Sequence, residues 1–345
     1  MVVDDSPFIR RVLIDILKKD KEIVIVGEAR NGKDALKQIP LLRPDVITLD
    51  IEMPIMDGMT ALTKIVDKYN IPVIMISSLT MEGADLTLKA LEQGAIDFIP
   101  KPQNIFSLGT EPTRSEIINK IKAVSKSNID LCHRKVYVPR FPKEKMLKFD
   151  PFSREFEYII AIGTSTGGPR ALQNVLPLFP RDINASIVVV QHMPPKFTKS
   201  LADRLDTLTN IKVKEGEEGD VLRKGFCYIA PGGFHMRVAS RGDKYVLELS
   251  TEEPVKGLRP AVDVLMESVA KLKNLKKVAV IMTGMGSDGA EGITEIKRSN
   301  GYIIAQNEES SIVFGMPKLA IETGCVDKIV PLKNIAHEVM KVMEV

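Results

Sequence analysis

From the first residue to about 127, short apolar runs alternate with amphipathic stretches. "IVIVGEA", "DVITLD", "VIMISS" and "DFIPK" are near-continuously apolar, the pattern of strands buried on both faces of a parallel sheet. Between them, "DALKQI", "TALTKIVDKY" and "DLTLKALEQ" place apolar residues at helical spacing. This βα alternation predicts a doubly wound α/β domain over residues 1–127. Residues 128–154 break the pattern with three prolines and a basic excess, and read as a linker, most simply a solvated one. Alternation resumes over 155–345 in "EYIIAIG", "ASIVVVQH", "KVAVIMTG" and "GYIIAQ", a second doubly wound parallel sheet. Within it "HMRVASRGDKYVLELS" alternates with period two around Arg241-Gly242-Asp243-Lys244, the mark of an added antiparallel hairpin. Only "MVV" precedes Asp4, whereas a strand usually runs about five or six residues. The first strand therefore reads as clipped by a start set too late, at a cost to stability more than to chemistry.

Composition agrees with this picture and narrows the classes. A length of 345 residues favours two domains, and 44% hydrophobic with 27% charged residues is a soluble globular composition. A net charge of +3 over this length indicates no nucleic-acid surface. No apolar run approaches the roughly 18–20 residues of a membrane span, and the N-terminus lacks a signal-peptide pattern. Cys132, Cys227 and Cys325 are odd in number and show no CxxC spacing. A cytoplasmic protein with reduced thiols, no structural zinc and no membrane insertion is expected.

Chemistry in an open parallel sheet gathers at the carboxyl ends of the strands. Asp4 and Asp5 follow "MVV", Asp50 ends "DVITLD", Ser77 ends "VIMIS" and Lys101 follows "DFIP". Carboxylates crowded at one edge repel unless a hard cation joins them, and magnesium suits oxygen ligands while leaving room for a phosphoryl oxygen. Lys101 supplies a point charge and Ser77 a hydroxyl for the same group, which makes Asp50 a nucleophile toward a phosphoryl donor. Strand-end caps are the alternative for any one aspartate taken alone.

In the second domain "IGTSTGGPRAL" sets Ser165 among glycines after an apolar run. A P-loop would need Lys-Ser/Thr where Pro169-Arg170 stand. A dinucleotide fingerprint would need glycine at Ser165 and an acid near Gln191-His192. "GTSTG" fits G-x-S-x-G, a turn that presents a nucleophile. His192 ends the next strand, and Asp288 lies in the glycine-rich "MTGMGSDGAEG" after another, so one sheet edge can collect all three. For the oxyanion, the backbone N–H groups of Thr166 and Met285 are the candidates. Read singly, His192 could be a structural histidine and Asp288 the cap of the helix after it. His235 is a rival base, though it opens the hairpin. His133 in the linker and His337 in the last helix are poor partners.

"VVDDS", "DVITLDIEMPIMDG", "ISS" and "KP" follow in the order of a response-regulator receiver domain, which residues 1–127 resemble. "IGTSTGGP", "VVQHMP", "YIAPGGFHM", "RPAVDVLMES", "MTGMGSDGA" and "FGMPKLAIETGCVD" resemble the catalytic domain of the chemotaxis protein-glutamate methylesterase (CheB) family. The resemblance implies a flavodoxin-like receiver and a Rossmann-like esterase domain. It implies Asp50 as phospho-acceptor, Mg2+ held by Asp4, Asp5 and Asp50 with the Glu52 backbone, and Ser77, Phe98 and Lys101 as the phospho-switch. It further implies a Ser165–His192–Asp288 esterase acting without a cofactor on methyl-accepting chemotaxis receptors, deamidation of receptor glutamines by the same chemistry, and a histidine kinase as phosphoryl donor. Asn307 stands where the family would have an acid, outside the triad, so local packing alone is at stake. A transcription regulator would carry a basic helix-turn-helix output, and a scaffold would have no need of all three triad residues.

Overall fold

Apolar runs become parallel strands wherever a neighbour is present to pair with. The computed structural model describes residues 1–101, 111–127 and 156–343, and the chain divides into two units, Met1–Lys135 and Val136–Val345. In the first, β1 (Val2–Val3), α1 (Pro7–Leu17), β2 (Glu28–Ala29), α2 (Gly32–Leu42) and β3 (Ile47–Asp50) lead the chain. After them come α3 (Gly58–Tyr69), β4 (Val73–Ser77), α4 (Met81–Glu92), β5 (Asp97–Pro100) and α5 (Glu111–Ser125). The strands pair in the order β2-β1-β3-β4-β5, all parallel. Helices begin on polar caps: Asn31 accepts from the Asp34 N–H, Asp57 from Thr60 and Thr80 from Gly83.

One expected strand is much shorter than its apolar run. Of "IVIVGEA", only Glu28–Ala29 pairs, because β1 offers only Val2 and Val3. Residues 23–26 instead line a cavity of about 320 Å³ with Pro44, Val46 and Ile121, and Val24 is 76% exposed. The Met1 ammonium donates to the Val46 carbonyl at 2.9 Å. Burial pulls its pKa down to about 6, against the opposing charge of Asp45. An ordinary α-amino group titrates near 8, so between these values the unfolded chain binds more protons than the folded one, and stability rises with pH. For a chain whose amino terminus is Met1, the first unit should gain up to about 2–3 kcal/mol between pH 6 and 8. Thermal unfolding of free and N-acetylated chains checks this; equal pH slopes for the two would refute it.

In the second unit β6 (Tyr158–Thr164), α6 (Gly168–Val175), β7 (Ala185–Gln191), α7 (Phe197–Leu208), β8 (Lys212–Glu215) and β9 (Phe226–Ile229) come first. β10 (His235–Arg241), β11 (Lys244–Ser250), α8 (Val262–Ala270), β12 (Lys276–Ile281) and α9 (Ala290–Arg298) follow. β13 (Tyr302–Gln306), α10 (Met316–Glu322), β14 (Lys328–Val330) and α11 (Ile335–Val342) complete it. Seven strands run parallel in the order β14-β13-β12-β6-β7-β9-β8. β10 and β11 form a separate antiparallel pair, turning through Gly242-Asp243. The pair packs Val238 and Leu247 into the same core as Leu265 and Val269 of α8. The first strand, β6, is central, with β7 on one side and β12 on the other, so the chain reverses its winding there. Ligand sites in such sheets lie beyond the carboxyl ends of the strands at this reversal. No helix is long and apolar enough to cross a membrane among the described residues.

Candidate functional sites

At the carboxyl edge of the first sheet, Asp4 follows β1, Asp50 ends β3 and Lys101 follows β5. Oxygen atoms of Asp4, Asp5 and Asp50 all lie within 4.8 Å of one another. Asp4 and Asp50 are buried and Asp5 is exposed. Lys101 Nζ lies 2.7 Å from Asp50 and 3.3 Å from Asp4. Burial pushes the Asp50 carboxyl up to about 6; the Lys101 contact opposes it and the charges of Asp4 and Asp5 add to it. Asp4 is likewise raised, chiefly by burial. Burial disfavours the Lys101 ammonium, yet its contacts with Asp50 and Asp4 leave its pKa raised. Three clustered carboxylates, two of them against the one Lys101 ammonium, form an oxygen donor set with excess negative charge, which fits a hard divalent cation. Glu52, two residues past Asp50, is exposed.

The other candidates of the first unit face elsewhere. Ser77 Oγ is turned toward α4: it donates to the Gly83 carbonyl at 3.1 Å and accepts from Thr87 Oγ1 at 2.6 Å. Phe98 is buried, with Lys120 Nζ 5.5 Å from its ring centre and donating to its carbonyl at 2.9 Å.

At the reversal of the second sheet, strand register sets the second cluster. Thr164 pairs with Gln191 across β6 and β7, so Ser165 and His192 are the next residues on adjacent strands. The Ser165 N–H donates to Thr283 O at 3.1 Å, and its carbonyl accepts from Gly168 N–H at 2.7 Å and Gln191 Nε2 at 3.0 Å. A glycine is needed at 284, because a Cβ there would lie 2.9 Å from Ser165 Cβ and 2.4 Å from Met316 Sδ. His192 Nε2 meets Asp288 Oδ2 at 2.7 Å. That oxygen also accepts the Val262 N–H at 2.6 Å, and Oδ1 accepts the Asp263 N–H at 2.9 Å. Burial alone would raise the Asp288 carboxyl, but His192 and these N–H groups hold it below the usual carboxylate range.

Thr166 is buried just before α6, and its carbonyl accepts from Thr283 Oγ1 at 2.9 Å. The Met285 N–H donates to no group among the described residues. His235, the first residue of β10, is fully buried, with Nε2 3.1 Å from the Glu253 carbonyl. His337 is exposed on α11; His133 and Cys132, with the rest of the linker, lie outside the described residues. Asn307 caps the turn at Glu308–Ser310, its Oδ1 accepting from Ser310 Oγ at 2.7 Å, so the amide serves locally. Cys227 is wholly buried, which raises its thiol pKa and leaves it a packing residue.

Sequence reasoning passed over the residues that brace Ser165. Thr164 Oγ1 donates to Thr283 O at 3.0 Å, and Gln306 Oε1 accepts the Thr283 N–H at 2.7 Å. Thr164, Gln191, Thr283 and Gln306 share one signal: each is a polar residue at the carboxyl end of an apolar strand.

Fold and sites together define a receiver-type α/β domain followed by an α/β enzyme domain. Residues 1–110 match the response regulator receiver domain family, and residues 160–339 match the CheB methylesterase family. A protein-glutamate methylesterase/protein-glutamine glutaminase of Pyrococcus horikoshii is 49% identical over 100% of this chain and 93% of its own. One of Bacillus subtilis is 44% identical over 98% of this chain and 96% of its own. The crystal structure of the Thermotoga maritima CheB methylesterase catalytic domain has 44% identity and a TM-score of 0.53. That likeness covers 54% of this chain and 98% of the Thermotoga domain. The chain belongs to the CheB methylesterase family, with a receiver domain in front.

Proposed function

We propose that the chain removes methyl groups from glutamyl methyl esters of methyl-accepting chemotaxis receptors, with Ser165 as nucleophile. The observation that supports this reading is the placing of Ser165 and His192 just past the ends of adjacent strands β6 and β7, with His192 Nε2 2.7 Å from Asp288, in a chain of this family. With its Nε2–H given to the ionised Asp288, His192 keeps Nδ1 as the base. Nδ1 takes the Ser165 proton as Oγ attacks the δ-carbonyl carbon, and the proton passes to the departing methoxide, which leaves as methanol. Water, deprotonated by the same nitrogen, then cleaves the acyl-enzyme to free glutamate. The N–H groups of Thr166 and Met285 receive the oxyanion. A receptor glutamine would follow the same path with ammonia as leaving group.

The receiver regulates this step. Asp4, Asp5 and Asp50, with the Glu52 backbone, would hold Mg2+, which would supply positive charge against an incoming phosphoryl group. Asp50 accepts that group from a histidine kinase, and Lys101 pairs with it. Ser77 leaves its α4 partners to bind it, and Phe98 repacks in response. The segment 128–154 joins this receiver (1–127) to the esterase (155–345). The test is methanol release from methylated receptor, with and without a phosphoryl donor and magnesium. The full chain should be stimulated by the donor, and Asp50→Ala should abolish that stimulation. Equal stimulation of both would overturn the regulatory reading; no methanol from either would overturn the esterase.

A further inference from the structure

"RPAVDVLMES" contains Asp263, a buried carboxylate with no part in the steps above. It opens α8 next to the N–H groups that hold Asp288. Neither α8 nor α9 carries a side-chain cap of its own: their cap positions are Ala261 and Gly289. The helices exchange caps instead. Asp288, leading into α9, accepts the Val262 and Asp263 N–H groups at the start of α8. Asp263, in the first turn of α8, accepts the Gly289 and Gly292 N–H groups at the start of α9, each at 2.8 Å. Lys256 Nζ lies 2.8 Å from the other Asp263 oxygen and 2.9 Å from Glu291.

We propose that Asp263 is a positioning residue for the esterase, fixing the Asp288 carboxylate against His192 through this exchange of caps. The proposal rests on the Ser165–His192–Asp288 reading. Two buried carboxylates are tolerable side by side because each faces a helix N-terminus, where N–H groups and the helix dipole favour negative charge. The turn from Asp288 into α9 has little freedom to compensate. Gly289 has φ +99°, and a Cβ at Gly292 would lie 3.1 Å from Asp263 Cα. With the Asp263 side chain removed, two N–H groups at the start of α9 lose their acceptor and the 288–292 turn loses its tie to α8. Asp288 then shifts relative to the imidazole, and a misplacement near 1 Å can cost about a hundredfold in rate.

The experiment measures kcat and KM for methanol release from methylated receptor by the full chain, with folding checked by circular dichroism. Asp263→Ala should lower kcat about 30- to 100-fold with KM within about twofold, since no substrate contact is removed. Asp263→Asn retains an oxygen for the two N–H groups and should stay within about fivefold of the parent. If the alanine variant does not fold, Asp263→Glu decides: it keeps the charge but displaces the cap, and kcat should fall about tenfold. A folded alanine variant within twofold of the parent kcat, a glutamate variant equally active, or an asparagine variant as impaired as alanine would each overturn the proposal. Ser165→Ala in the same assay separates the two readings. If it stays active the triad is wrong; if it is dead while Asp263 variants behave as parent, only the positioning role fails.

Discussion

Ser165→Ala is expected to lower methyl ester hydrolysis by roughly 10⁴- to 10⁶-fold, the scale on which a serine hydrolase loses turnover without its nucleophile. Folding should survive, because the turn is held by main-chain groups that alanine retains. The 165 N–H still donates to Thr283 O, and the 165 carbonyl still accepts from Gly168 and Gln191. Removing one half-buried hydroxyl should change stability by less than about 1 kcal/mol. Methanol release and a thermal melt on the same preparation separate the two effects. Turnover above about a tenth of the parent would exclude Ser165 as nucleophile.

Asp288→Asn should lose roughly 10³- to 10⁴-fold in turnover, because an amide cannot favour the required imidazole tautomer or stabilise its charged form. Unlike the serine variant, this one should also lose stability. The carboxylate accepts from three donors with two oxygens, and an amide has one oxygen to offer. A donor at the start of α8 or the His192 Nε2–H is left facing an NH₂ group, at a cost of about 1–3 kcal/mol. A melt unchanged from the parent would show that these N–H groups do not depend on the Asp288 charge.

The central strands were legible because each is buried on both faces and reads as an unbroken apolar run. β8, β9 and β14 were not anticipated. "KVKE" and "KIV" are short and lie at the sheet's two edges, and "FCYI" is only four residues, too few to show a period. The hairpin was legible because one of its faces is wet and its turn is Gly242-Asp243. β2 misled for the opposite reason: "IVIVGEA" is apolar enough for a full strand, but pairing is decided by the neighbour, which has two residues to give. At the esterase edge, strand-end position pointed to Ser165, His192 and Asp288 as a group. The alternative that Asp288 caps its own helix, α9, is not what the structure has: it caps α8. Main-chain N–H groups carry no side-chain signature, so an exchange between these two consecutive helices leaves little trace along the chain.

Because β6 lies between β7 and β12, the esterase edge cannot be built in one local event. β7 follows β6 closely along the chain, but Thr283, which braces the Ser165 turn, is 119 residues beyond its partner Thr164. His192 and Asp288 are 96 residues apart. During synthesis Ser165 and His192 leave the ribosome long before Asp288, the partner of the His192 ring. On the proposed triad, a chain interrupted before β12 would hold Ser165 and His192 without Asp288. On the proposed triad, hydrolysis therefore waits on the pairing of β12 with β6.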